Sequence, residues 1–586
     1  MRTLCKTFLV ALVTLLISMS ANSATPEETS FRQNEQQQRE QQRLLRFKER
    51  ERLLKELERS LDRIEHPPII PPKSSVIPES DVCFNIDKII FNGTENMLID
   101  DAAALKRPWL GKCLSLKDID SLRNSIDKFY IESGWIMARA YLQPEQNIKS
   151  GTLVFQVLEG KLNDIKLNFD RTGERMQIST AFPSMIDETI FIRDVEQGLD
   201  QINRLLSNRA SMTMEPVKNK PGYTDILIKN IRYNPYRLSL GYDNQGSRST
   251  GDKRAVLTVD TDNLFSLNDN LFINVTESLE SHTERSSSSY SVNLSIPYGY
   301  WLYTLSLNHS RYKSTNSSDN TVFVTRGNSD NSSLRASRVI HRDKSSKTTL
   351  ALALNLKDTR TFLEDVKLGT SSRRLTVADI QFLHVARESV VVWTAQLTYS
   401  RGLDAFGALL DDPLTGDGTP KAQFEKLDWN LSLSMPFDIA DNRFSYQSGL
   451  SGQLSRDPLF GSEQIAIGDL YSIRGFRDSP ASGDSGGYLR NDIFWHPQFK
   501  NAYLRALRFS LGLDVGYVSV RNNNINNSGA GSATLAGTAV GAQQTITLPH
   551  DQQFSWSLNI GRGLSAPRFI KKESAIAIFN LNWKFW

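Results

Sequence analysis

The sequence predicts a mainly β protein: a 16-stranded transmembrane β-barrel over residues 231–586, preceded by two small α/β domains and an N-terminal helix. Three observations carry that expectation. The C-terminal half repeats short segments of two-residue period, the N-terminus opens on an apolar leader, and the stretch between them alternates short strands with helices.

The barrel is read from alternation. Leu350, Leu352, Leu354 and Leu356 interleave with Thr349, Ala351, Ala353 and Asn355, and Tyr290, Val292, Leu294 and Ile296 interleave with Ser291, Asn293 and Ser295. Trp429 to Met435, Phe509 to Val515 and Phe554 to Ile560 behave alike, and the chain closes on Phe579, Leu581, Trp583 and Phe585. Period two places one set of side chains on each face of a strand, here Leu, aromatic and β-branched residues against Ser, Thr and Asn. A soluble sandwich shows the same alternation strand by strand, but so many strands without long crossover helices leave an apolar face that only lipid can cover. The segments match the roughly 9–11 residues of a tilted membrane strand. Tyr298, Tyr300, Trp301, Tyr303, Trp393, Tyr399, Trp495 and Trp583 sit near strand ends, where an interfacial aromatic girdle belongs. Unpaired backbone groups in lipid cost several kcal/mol each, so the first and last strands must pair. The length available gives about 14–18 strands, with 16 the best even number, and a barrel that wide has a polar lumen. The rival, a large soluble domain such as a propeller, calls for a blade-length repeat that the sequence lacks.

The remaining chain fits export. Residues 1–24 read as a secretory signal: Arg2 and Lys6, then an apolar run from Phe8 to Ile17, then small residues with cleavage after Ser23 or Ala24. An exported chain with amphipathic strands and no second long apolar run points to a Gram-negative outer membrane. The net charge of +4 is too small to argue for nucleic acid. With Cys5 in the leader, Cys83 and Cys113 remain as an even pair in an oxidising compartment and are expected to form a disulfide. Two cysteines without a nearby His do not suit zinc, and their spacing is far from Cys-x-x-Cys. No metal or cofactor is expected. Residues 25–65 hold a Gln/Glu/Arg-rich helix with Leu53, Leu57 and Leu61 on one stripe; pattern alone favours a solvated helix or weak coiled coil over a polar plug in the lumen. The segment 66–81, with Pro67, Pro68, Pro71, Pro72 and Pro78, is an extended linker. Residues 82–159 and 160–230 are the two α/β domains. The first has a strand over 84–91, helices over 98–105 and 116–133, and strands over 136–142 and 153–158. The second has a strand over 164–169, a helix over 195–206 and strands over 211–215 and 225–228. Small sheets of this kind leave strand edges that accept an extended partner segment, unless the domains are mere spacers.

One long insertion, about 457–488, interrupts the barrel without a strand pattern and holds Ile473, Arg474, Gly475 and Phe476. Loops of that length are functional or disordered. Downstream, Gly512, Asp514 and Gly516 have the opposite parity to Leu513 and Val515, so Asp514 faces the lumen, where Arg474 is its natural counter-ion; hydration of each charge in the pore is the alternative. Gly483 to Gly487 spells the Gly-Asp-Ser-Gly string of chymotrypsin-like nucleophiles. That chemistry needs a placed His and Asp, and no His lies in the required context, so no catalytic residue is assigned and no enzyme is expected.

Ile473-Arg474-Gly475-Phe476 resembles the Val-Arg-Gly-Tyr/Phe loop motif of the outer-membrane translocation and assembly superfamily, and Gly512-x-Asp514-x-Gly516 the wall motif that this loop docks against. Gly134-Trp135, Ala140 to Gln146, Gly151-x-Leu153 and Glu159-Gly160 resemble a polypeptide-transport-associated (POTRA) domain of two-partner-secretion transporters. Ile473 stands where Val is commoner. The resemblance implies 16 strands, a resting plug made by the N-terminal helix, and two periplasmic POTRA domains that bind the secretion domain of an exported adhesin, haemolysin or contact-dependent toxin. It also implies a loop locked in the lumen by Arg474 on Asp514. Outer-membrane lipid and periplasmic chaperones are further expected partners. A passive porin has no use for the two POTRA-like domains, and barrel-assembly factors of the same superfamily are longer on the N-terminal side.

Overall fold

The computed structural model describes residues 82–585 except 168–173, 281–283, 319–320, 413–415, 417, 478–480 and 522–530. The signal, the helix with Leu53, Leu57 and Leu61, and the Pro-rich linker lie outside the described residues.

The first α/β domain runs β1 (Cys83–Ile86), β2 (Lys88–Asn92), α1 (Ile99–Lys106), β3 (Lys112–Ser115), α2 (Leu116–Ser133), β4 (Arg139–Leu142) and β5 (Thr152–Leu158). β1 pairs antiparallel with β3, while β2, β5 and β4 form a second sheet with β5 in the centre. The helix α2 forms where the apolar stripe predicts it: Ile119, Leu122, Ile126 and Tyr130 are buried at 3- and 4-residue spacing. Ser115 and Asp118 close a capping box at its start, the Ser115 backbone N–H donating to Asp118 Oδ2 at 2.9 Å and Asp118 N–H to Ser115 Oγ at 3.2 Å. The Ser115 hydroxyl, donating to Asp118 Oδ2 at 2.7 Å, and then the Ser115 amide hold the Asp118 carboxyl below its usual range. Gly134 ends the helix at φ 100°, a left-handed cap that favours glycine. Asp127, on the buried face, accepts from Ala140 N at 2.7 Å, and burial pushes its carboxyl up.

The POTRA-like residues have local work to do in this domain. Gln146 brackets Val154, its Nε2 donating to the carbonyl at 2.9 Å and its Oε1 accepting from the amide at 2.8 Å. Glu159 gathers Tyr130 Oη at 2.8 Å and Asn96 N and Nδ2 at 2.8 and 2.6 Å, tying the end of α2 to the loop after β2.

The second domain runs β6 (Lys161–Leu167), α3 (Glu174–Ala181), α4 (Ile192–Asn203), β7 (Asn208–Pro216) and β8 (Tyr223–Arg232), with sheet order β6–β8–β7. Its core packs Leu162, Ile190, Val195, Ile202, Ile226 and Ile228. Fully burying each such side chain contributes about 1.5–3 kcal/mol. Several boundaries differ from expectation. The strand expected over 84–91 breaks at Asp87 into β1 and β2, which serve different sheets. Residues 136–138 form a turn before β4, and α4 begins and ends three residues early. The helix α3 was not expected, because its inner face is partly polar: Gln177, Thr180 and Ala181 are buried.

Beyond β8, sixteen long strands among the described residues form an antiparallel meander from Tyr236–Asp243 to Ile576–Phe585, and the ends join with Asn580 opposite Asp243 through Phe585 opposite Leu238. The two-residue strand Val366–Lys367 only prolongs the hairpin after Ser346–Leu363. Alternation sorts the faces: Leu511, Leu513 and Val515 point outward at 52, 54 and 46 % exposure, while Asp514 between them is 4 % exposed. Ser291, Thr325, Ser329 and Thr359 are buried on the inner side. Tyr303, Tyr399, Trp495 and Trp583 are exposed on the outer face, as a girdle requires. Tyr300 departs from the girdle expectation: it sits in a turn and its hydroxyl donates to Asp194 of α4 at 2.6 Å.

That bond belongs to a larger contact. The polar face of α4 rests on the turns at one rim of the barrel. Gln197 and Gln201 Nε2 donate to Gly299 O at 3.3 and 2.7 Å. Arg342, nearly fully buried, meets Asp200 at 2.5 Å and Glu196 at 3.6 Å. Arg204 donates to Asn268 O at 2.6 Å and Ser295 Oγ at 2.9 Å. The second domain is therefore fastened to the near rim, and the long insertion enters from the far one.

Cys83 and Cys113 are joined, with Cα atoms 5.3 Å apart, locking β1 to β3. Replacing both by Ser is expected to destabilise the first domain by about 3–4 kcal/mol on the chain-entropy model. Hydrogen exchange of β1 and β3 in the full-length protein should accelerate while the barrel strands keep their protection; unchanged exchange would contradict this.

Candidate functional site in the barrel lumen

The insertion leaves the strand Asn442–Ser455 and returns as the strand Ser485–His496. It ends earlier than the expected residue 488, and it is not devoid of strand. Ile465–Ile467 pairs with Ala481–Gly483 as a two-stranded stalk, which presents its tip to the inner wall.

At the tip Ile473, Arg474 and Phe476 are 0, 7 and 3 % exposed. Arg474 Nε and Nη2 donate to the two oxygens of Asp514 at 2.7 and 2.6 Å, and the Arg474 amide adds a third bond at 3.0 Å. This is the bidentate geometry that makes Arg–carboxylate pairs strong and directional. Nη1 donates to Asp492 at 2.5 Å. Gly512 lies under the guanidinium, where an added Cβ would overlap it. Gly475, at φ 91°, packs on the backbone of Arg562 and Gly563; a side chain there meets both strain and collision. Gly516 leaves room for Ile473 Cδ1 and Tyr488. Around the ion pair Ile467, Ile473, Phe476 and Ala481 pack on Val518, Ala533, Leu535 and Ile570. The structure thus brings Ile473, Arg474, Gly475, Phe476, Gly512, Asp514 and Gly516 into one site.

Sequence reasoning missed Asp492 and Arg490. Both have inward parity on the strand Ser485–His496, and Arg490 stands opposite Asp514 in register, its Nη1 donating to Leu470 O at 2.9 Å. Two arginines and two aspartates meet in one patch of the wall. Parity on that strand was the available signal. The Gly-Asp-Ser-Gly string has a different role. Asp484 is 1 % exposed and accepts from Leu459 N, Gln464 Nε2 and Arg521 N at 2.8, 3.1 and 2.9 Å. Ser485 Oγ accepts from Ser455 N at 3.1 Å. The string staples the foot of the loop.

Comparison with known proteins gives three family matches. The model described as haemolysin secretion/activation protein ShlB/FhaC/HecB matches residues 222–544, a ShlB-type POTRA model matches 84–160, and a second POTRA model matches 161–216. The outer membrane transporter CdiB of Dickeya dadantii (strain 3937) is 30 % identical over 570 residues, 97 % of each chain. The hemolysin transporter protein ShlB of Serratia marcescens is 29 % identical over 472 residues, covering 80 % of this chain and 81 % of that one. Among solved structures, CdiB from Escherichia coli superposes with a TM-score of 0.81 at 28 % identity, covering 97 % of this chain and 100 % of that one.

Removing one partner of a buried ion pair costs about 3–5 kcal/mol. Arg474→Ala should therefore raise amide exchange across 469–477 at least a hundredfold, and Gly512→Ala should do so to a lesser degree by displacing the guanidinium. Protection of the wall strand Arg508–Ser519 should persist. Equal exchange in wild type and Arg474→Ala would show that the pair does not hold the loop.

Proposed function

This chain belongs to the haemolysin secretion/activation (ShlB/FhaC/HecB) family, and from that premise we propose that its lumen is the path by which a large partner exoprotein leaves the periplasm, with the loop at Arg474 as its lock. It is an outer-membrane translocator of the two-partner secretion type, a β-barrel with two periplasmic POTRA domains. The near rim, where the second domain is fastened, is the periplasmic one.

The observation that carries the reading is the loop tip bound to the lumen wall by Arg474 on Asp514. A wall with paired strands cannot open sideways cheaply, so a passing chain must run through the interior, which the loop occupies. The client's N-terminal secretion domain engages the POTRA domains, whose β4 and β7 are sheet edges able to accept an extended segment. The wall presents Ser, Thr and Asn to such a chain, side chains that exchange hydrogen bonds freely and offer little apolar surface to stall it. Folding of the client outside supplies the bias. A passive porin accounts for the barrel but not for a POTRA domain bolted to its rim through Arg342, Gln201 and Arg204. The N-terminal helix carrying Leu53, Leu57 and Leu61 serves as the resting plug, and the segment 66–81 gives it the slack to leave.

Arg474→Ala and Asp514→Ala should each cut client secretion several-fold while the barrel still inserts and resists heat-induced unfolding in detergent. Wild-type secretion from both would refute the lock. Deleting 31–64 should raise single-channel conductance in planar bilayers, and unchanged conductance would remove the helix from the pore.

A further inference from the structure

The lumenal loop has a second ionic contact, on a different part of the wall. Glu463, in the short 3-10 turn Gly461–Glu463 ahead of the stalk, is completely buried. Its Oε1 accepts from Lys357 Nζ at 2.5 Å and its Oε2 faces Lys426 Nζ at 3.2 Å. Lys426, itself 4 % exposed, also donates to the Glu463 carbonyl at 3.1 Å and to Gln453 Oε1 at 3.4 Å. Lys357 lies on the strand Ser346–Leu363 and Lys426 on Glu425–Ile439, which the strands Arg373–Glu388 and Val391–Leu403 separate. Arg474 is held by Ser485–His496 and Arg508–Ser519, and its neighbour Gly475 rests on Gln553–Ser565. The two contacts therefore lie on different sectors of the cylinder.

Packing supports the same division. Leu459 and Phe460, at the start of the loop, join Leu375, Val377, Ala422 and Phe424 in a buried apolar cluster, and the Arg373 guanidinium lies 4.6 Å from the Phe460 ring centroid. The tip has its own cluster around Ile473 and Phe476. The charge arithmetic at the first contact is also particular. One carboxylate serves two ammonium groups, with Asp428 3.8 Å from Lys426 as the further acidic neighbour. Buried charges persist only when paired, and loss of Glu463 takes one carboxylate from both Lys357 and Lys426 at once.

We propose that Glu463, gripped by Lys357 and Lys426, is a second anchor of the loop and a positioning element for transport. The loop crosses the lumen as a strap tied at two places, and it turns about the Glu463 anchor when the Arg474 end lets go. The first limb then stays on its wall during passage and the chain slips by on the Arg474 side. This rests on the reading of the loop as the lock of the transport path.

The test uses the full-length protein, reading amide exchange of 457–467 in detergent and client secretion in cells. Glu463→Gln should raise exchange in 457–467 at least tenfold, leave the wall strand Arg508–Ser519 protected, and lower secretion several-fold. Glu463→Asp, which keeps a carboxylate between the two ammonium groups, should leave both measures closer to wild type than Glu463→Gln does. If Glu463→Gln fails to reach the membrane, Lys357→Met, which keeps the Lys426 pair, is read by the same two measures. Wild-type exchange, or faster exchange with wild-type secretion, would overturn the anchor. Arg474→Ala run alongside separates the two readings: if it impairs secretion and Glu463→Gln does not, only the second anchor falls, whereas normal secretion from both removes the loop from the transport path.

Discussion

The structure depends on closure. In hydrocarbon every backbone N–H and C=O must find a partner within the protein, and sixteen strands meet that demand only because the last returns to the first at Asn580 to Phe585. Closure turns the alternating pattern into two solvents. Outward side chains such as Leu511, Leu513 and Val515 face lipid, while inward ones share a wet, polar interior that water, ions or a polypeptide can occupy. A barrel this wide cannot fill its interior with wall side chains, and the protein fills part of it with its own loop.

The polar interior makes ionic fastening effective. An exposed ion pair contributes little because water competes for both partners. Inside the barrel, Arg474, Asp514 and Asp492 bury one another, and the loop supplies the apolar cover through Ile473 and Phe476. The glycines on the wall belong to the same design: Gly512 and Gly516 subtract side chains where the loop must come closest. At the near rim the same logic joins the second POTRA domain to the barrel turns, with Arg342 buried between Asp200 and Glu196. A domain set so firmly at the mouth delivers whatever it binds to a fixed place relative to the lumen.

Much of this was legible in the chain. The helix Leu116–Ser133 could be read residue for residue, since apolar stripe and terminal glycine agree. The strand series was legible because lipid outside and water inside impose a strict period of two. The helix Glu174–Ala181 was not, since it buries Gln177, Thr180 and Ala181 against a barrel turn and so lacks an apolar stripe. The turn at Tyr300 was misread as girdle because an aromatic residue near a strand end looks the same whether it meets lipid or a neighbouring domain.

What the sequence settled alone was parity: period two assigns each strand residue to lipid or lumen, and so it turned Asp514 inward and named Arg474 as a candidate counter-ion. Parity gives a face but no azimuth. Which inward residues meet across the lumen depends on how many strands separate them around the cylinder and on where the loop, folded on its own short stalk, comes to rest. Those are properties of the closed barrel, and for that reason Asp492 beside Arg474, and Lys357 and Lys426 around Glu463, emerged only from the tertiary structure.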